Sequence, residues 1–150
     1  MLRVHDITII LLMTLLTGCG SNVGLSGKVV FSDDKSPVPL GTVELISESG
    51  TFSARAEIKP DGTFVVGSLK EKDGLPPGKY RISVYAIKTT AVGTKRNSDG
   101  MEMIDSVSEY LVEPKFGNPD TSEITIDIAS TVRNYEIVVD RAPPGMKVRW

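Results

Sequence analysis

Chemistry needs side chains that donate a proton, accept one or attack, and this chain carries few of them. It has one histidine, His5, and one cysteine, Cys19. Three carboxylate pairs have spacing suited to acid–base work: Asp33/Asp34, Glu71/Asp73 and Glu102/Asp105. Two neighbouring acids can serve as proton donor and acceptor in hydrolysis. All three pairs sit in polar segments where solvated surface acids are the ordinary occupants, so a carboxylate-based hydrolase ranks last among the readings. Asp33, Asp34, Asp99 and Asp120 are hard oxygen donors of the kind calcium takes. Their spacing matches no dedicated calcium loop, so no metal and no cofactor is assigned. Four aromatic residues could form a low-ranked platform for a sugar or peptide: Tyr85, Tyr110, Phe116 and Trp150. Scattered aromatics are more often loop anchors or ordinary exposed apolar surface.

The role of Cys19 follows from its position. It closes the run Leu16-Thr17-Gly18-Cys19 after the apolar stretch Ile7 to Leu16. Arg3 gives a weakly positive start, with Asp6 an unusual acid beside it. The apolar stretch is shorter than the ~20 residues that span a bilayer. A charged start, a short apolar core and small residues before a cut make up a secretory signal. With the cysteine where it stands, the pattern resembles a bacterial lipoprotein signal over residues 1–18. The resemblance implies cleavage between Gly18 and Cys19, a lipid such as palmitate on Cys19, and attachment to a membrane of the cell envelope. Gly20, not an aspartate, follows the cysteine. In an organism with two membranes this favours the outer one. Residues 19–24 then read as a tether.

Removing residues 1–18 from the 150 leaves 132, enough for one domain with its own core. Arg3 and Asp6 leave together, so the net charge stays at -2. Such a balance gives no electrostatic footprint for nucleic acid. The remaining chain has no histidine and a blocked thiol. Ser-His-Asp and Cys-His nucleophiles, zinc sites built on Cys or His, and disulfides within the chain are therefore excluded. The expected function is a non-catalytic binding or structural module, with an envelope protein or a glycan as partner.

The elements that position these residues alternate with period two, the mark of strands with one dry face. Runs of this kind are Leu25–Phe31, Thr42–Ser47, Phe52–Ile58, Thr63–Val66, Lys79–Lys88, Ser122–Ile128 and Asn134–Val139. Lys59-Pro60-Asp61-Gly62 is a strong turn between the third and fourth, since Pro60 fixes φ and Gly62 tolerates φ > 0. In the fifth run Tyr80, Ile82, Val84 and Ala86 face inward, and Arg81, Ser83 and Tyr85 face outward. Residues 89–109 show no clean pattern; a structureless loop of that length is uncommon in a compact domain, and either part of it or Tyr110-Leu111-Val112 is expected to pair as an edge strand. Seven short strands predict an all-β, seven-stranded Greek-key β-sandwich over residues 25–140, with a closed small barrel as the alternative and 141–150 a C-terminal tail.

Three segments carry a family resemblance. Gly27-Lys28-Val29-Val30-Phe31 followed by Pro37-Val38-Pro39-Leu40-Gly41-Thr42-Val43 is the first. Asp61-Gly62-Thr63-Phe64 with Gly74-Leu75-Pro76-Pro77-Gly78-Lys79-Tyr80 is the second. Glu113-Pro114-Lys115-Phe116-Gly117-Asn118-Pro119-Asp120-Thr121-Ser122 is the third. Their order resembles the carboxypeptidase-regulatory-like, or transthyretin-like, domain as found in small planctomycete-type lipoproteins. The resemblance implies a transthyretin-like sandwich without catalysis. The purine-pathway hydrolase of that fold relies on histidines and a characteristic C-terminal tetrapeptide. Here the chain has no histidine beyond His5, and it ends Lys147-Val148-Arg149-Trp150.

Overall fold

The computed structural model describes residues 22–67 and 74–148. The leader, Cys19, the Glu71/Asp73 pair and Trp150 lie outside the described residues. Nine strands follow one another: β1 (Leu25–Phe31), β2 (Gly41–Ser47), β3 (Ser53–Ile58), β4 (Thr63–Val65), β5 (Gly78–Tyr85), β6 (Ile87–Arg96), β7 (Glu102–Tyr110), β8 (Ile124–Ile128) and β9 (Val132–Val139). A short 3-10 turn, Pro114–Gly117, interrupts the path from β7 to β8. The chain is all-β. One sheet has the order β4-β1-β9, a second has β3-β2-β5-β8, and β6-β7 form a separate two-stranded ribbon.

Alternation decides what is buried. Val43 and Leu45 of β2, Ala54, Ala56 and Ile58 of β3, and Tyr80, Ile82 and Val84 of β5 point one way. They join Leu25, Val29, Phe31, Phe64, Ile137 and Val139 of the other sheet in a single apolar cluster. Removing these faces from water is the main force holding the two sheets together.

Tight turns fix the two ends of this body. In the 59–62 turn, the Gly62 N–H donates to the Lys59 carbonyl at 2.8 Å and the Lys59 N–H to the Thr63 carbonyl at 2.9 Å. Gly62 has φ 81°, which glycine adopts without strain. The turn sets Ile58 and Thr63 at one end, with Gly41 opposite Ile58 and Thr42 opposite Tyr85. At the other end Val23 and Leu75 exchange backbone hydrogen bonds, each 2.9 Å. There too the Gly24 N–H donates to the Thr131 hydroxyl at 3.1 Å.

β1 runs between β4 and β9, antiparallel to the first and parallel to the second. Its register with β9 slips once, between Leu25 and Gly27, where β9 carries an extra residue. Asn134 takes up that bulge with φ 59°, a left-handed conformation that asparagine tolerates better than most residues.

Several expectations need correction. The expected strand pairing in residues 89–109 takes in more of the segment than part of it: 89–96 belong to β6 and 102–109 to β7, paired from Ile87↔Tyr110 to Arg96↔Glu102 around a turn at 97–101. Both faces of this ribbon are wet, so no dry face imposed an alternation on the sequence. The fifth run also ends sooner than expected, at Tyr85, and Lys88 lies in β6. Ser83 is buried, not outward. It is a small residue opposite Glu44, on the strand against which the 3-10 turn packs. Packed structure begins inside the expected tether, because Val23 is buried. The expected C-terminal tail is partly docked. Ala142 is buried, the Val148 N–H donates to the Ser108 carbonyl, and the Met146 carbonyl accepts from the Tyr110 N–H.

Candidate functional site

The aromatic side chains gather at the root of the β6–β7 ribbon. β5 brings Tyr85 to the Gly41 end, half-exposed at 45%. β7 returns Tyr110 to the same place, because Tyr110 pairs with Ile87 just beyond the end of β5. Both rings line one cleft of about 150 Å³, with Val112, Glu113, Pro114 and Asn118. Tyr85 also borders a cleft of about 470 Å³ with Thr42, Arg55, Glu57 and Ile87. Tyr110 borders a third, of about 730 Å³, with Pro114, Met146, Lys147 and Val148. The three form one shallow, aromatic-studded surface around the root.

Three of the polar groups of this surface are already engaged. The Glu113 carboxylate lies 3.2 Å from the Lys115 ammonium, and Arg55 donates to Glu44 from Nε and Nη2 at 3.0 and 2.9 Å. Asn118 Oδ1 accepts from the Asp120 N–H at 2.9 Å. Such a surface can stack a flat ring or hold an extended backbone.

No protein-family model and no curated protein matches the sequence. Three solved structures share part of its shape. Two are of BcpA, the major pilin subunit of Bacillus cereus, each with 14% identity and a TM-score of 0.41. They cover 81% of this chain, which spans 30% and 31% of the pilin chains. The third is a 9R-lipoxygenase from Cyanothece, with 15% identity and a TM-score of 0.41, covering 83% of this chain and 18% of that one. At this level of superposition they carry no argument about what this chain does.

The other expected site residues lie apart. Phe116 is buried at 7% exposure, with the Lys115 ammonium 4.8 Å from its ring centre. The 3-10 turn rotates it into the core, so it is a packing residue and no ligand contact. Trp150, Cys19 and Gly18 fall outside the described residues. Glu102 lies 3.7 Å from Arg96, and Asp120 pairs with Arg81. Among the described residues no three His, Cys, Asp or Glu side chains converge to hold a metal ion.

Asp33 and Asp34 are taken up by a residue that the sequence reading missed. Arg141 donates from Nε to Asp33 Oδ2 at 2.9 Å and from Nη2 to both Asp34 oxygens at 3.2 Å and to the Ser36 hydroxyl at 3.1 Å. Its guanidinium lies 3.7 Å over the Phe31 ring, a favourable stack. Beside it, Asp140 accepts from Lys115 at 2.6 Å and from the Ser32 hydroxyl at 2.7 Å. The cluster pins the turn after β1 to the segment after β9.

Hydrogen bonds from Ser36, with Arg141 contributing less, lower the Asp34 pKa to about 2. Lys115 and then Ser32 lower that of Asp140. A carboxylate depressed in the folded state stabilises it above the unfolded pKa, and that contribution is lost as pH falls towards the folded value. The melting temperature is expected to be flat down to about pH 4 and to decline from there towards about pH 2. Calorimetry of the Ser36→Ala variant should show a shallower decline, and an unchanged profile would dismiss the Ser36–Asp34 contribution.

Proposed function

We propose that this protein is a lipid-anchored module of the cell envelope that binds through its surface without catalysing a reaction. The observation that carries the reading is the β6–β7 ribbon. It leaves the body at the Gly41 end, opposite Val23, and packs chiefly on itself. It exposes Val92, Met101, Met103 and Ile104, the last at 74%. Large apolar side chains left exposed on one protruding element are a feature of interaction surfaces. With Cys19 lipidated, only Gly20, Ser21 and Asn22 separate the lipid from Val23. The body would then stand close to the bilayer with the ribbon facing away from it. The seven sheet strands are assigned, on the motif order given above, to a Greek-key sandwich of the transthyretin-like or carboxypeptidase-regulatory-like type.

The deciding variant is Cys19→Ala. It is expected to leave the membrane fraction for the soluble one, or to accumulate as uncleaved precursor. A processed Cys19→Ala protein that stays with the membrane overturns the anchoring.

A second reading, glycan or peptide binding at the ribbon root, is favoured by one observation: Tyr85 and Tyr110 line the same cleft. Retention on a glycan array should then be lost in the Tyr85→Ala variant. Retention equal to that of the native chain would remove the cleft as the platform.

A further inference from the structure

The two strands of the ribbon carry opposite charge. β6 has Lys88, Lys95 and Arg96 and no acid, while β7 has Glu102, Asp105 and Glu109 and no base. Within the ribbon these meet across the ladder, with Lys88 opposite Glu109 and Arg96 opposite Glu102.

The outer edges differ in how they are covered. Near the root, Met146 to Val148 lie along β7 and bond the Tyr110 N–H and the Ser108 carbonyl. Alternation sends the backbone groups of Ser106, Ile104 and Glu102 to that same side, where among the described residues no further strand lies beside them. Among the described residues the outer edge of β6 has no strand beside it either. Open edges of this kind recruit strands, and lysines and bulges restrict which ones. β6 has both, with its bulge at Val92 between Ala91 and Gly93.

Three pairings between copies can be compared. β6 against β6 sets lysine and arginine against each other. β7 against β7 sets acid against acid. Like charges directly opposite destabilise a ladder. β6 against the free part of β7 repeats the Arg96–Glu102 part of the match already made inside the ribbon, since the tail covers Glu109. Every copy brings both halves of that match, whereas an unrelated acidic strand would have to supply its half from elsewhere.

We propose that the β6 edge of one copy pairs, antiparallel, with the free part of the β7 edge, Glu102–Val107, of a second copy. This arrangement sets the ribbons side by side and pointing the same way. Copies anchored through Cys19 to one membrane would stand in that orientation, and this clause alone rests on the anchoring reading. The contact is heterologous, so it builds short open rows and no closed dimer.

The test uses the full-length chain carrying two different tags, co-expressed and extracted in mild detergent. Copies with one tag should co-purify those with the other. K95E/R96E alone and E102K/D105K alone should each lower co-purification about tenfold, since each sets like charges across the new ladder. Co-expressing the two variants should restore it, which a misfolded ribbon could not do. Ile104→Pro removes an outward N–H of β7 and should also abolish it. Native copies that fail to co-purify, reversals without effect, or variants that do not rescue each other overturn the proposal. The readout is taken in detergent, so a Cys19→Ala result against anchoring leaves it untouched.

Discussion

Gly27→Ala is expected to destabilise the domain by about 3–5 kcal/mol, most of the margin of an ordinary small domain. A Cβ at Gly27 would stand 1.9 Å from the Tyr135 carbonyl oxygen and 2.8 Å from its carbon. Those atoms are backbone, and β9 cannot move away from them cheaply. Leu25↔Val132 holds it before the bulge, and Lys28↔Glu136 through Phe31↔Val139 hold it after. Overpacking against a side chain is often relieved by a rotamer change, but here no rotamer is available. Urea denaturation measures the loss, and the melting temperature should fall by ~10–20 °C. Gly93→Ala in the ribbon is the control. Its Cβ would meet nothing within 4 Å, and the change should stay within about 0.5 kcal/mol. Equal stability of the two variants would mean that β1 and β9 do not approach as described.

The second large effect is expected at Tyr80. Its ring is 2% exposed and meets Phe52 edge-on, with centroids 6.3 Å apart and planes at 79°. Its hydroxyl donates to the Pro76 carbonyl at 2.5 Å. Tyr80→Ala removes the whole ring from the core and should cost about 3–5 kcal/mol. Tyr80→Phe keeps the ring and leaves only the Pro76 carbonyl without its donor, at about 1 kcal/mol. The gap between the two variants separates the packing of β5 from the tie to the proline pair before it. Comparable losses in both would show that the hydroxyl, not the ring, holds the strand.

What the sequence revealed follows from where water lies. β2, β3 and β9 each have one dry face, and the inward residues Val43, Leu45, Ala54, Ala56, Ile58, Tyr135, Ile137 and Val139 were legible from alternation alone. β6 and β7 have none, so Thr and Glu occur on both sides and the period disappears. The turn that closes them was present in Asn97-Ser98-Asp99-Gly100. There Asn97 Oδ1 accepts from the Asp99 and Met101 N–H groups, and Gly100 has φ 79°. Tyr85 and Tyr110 are 25 residues apart in sequence, and only the hairpin register brings them to one cleft. Arg141 was missed for the same reason. Its partners Asp33 and Asp34 lie 108 and 107 residues away, and nothing local to either segment announces the pairing. Phe116 looked like a loop aromatic because the 3-10 turn that rotates it inward is too short to leave a periodic signal.

The parallel seam between β1 and β9 sets the order in which this domain can fold. β1 is the first strand to be synthesised and lies in the middle of its sheet, yet one of its two neighbours is made about a hundred residues later. Gly24 and Thr131, which close that seam, are 107 residues apart. Such long-range pairing raises contact order and slows folding. Until Val132–Val139 emerges, one edge of β1 is bare and half of the core has no lid. A chain passing through a membrane pore must stay unfolded to be threaded. Were the chain exported as proposed, a topology that cannot close before its late segment arrives would suit that passage, and it would also leave β1 exposed to the wrong strand throughout it.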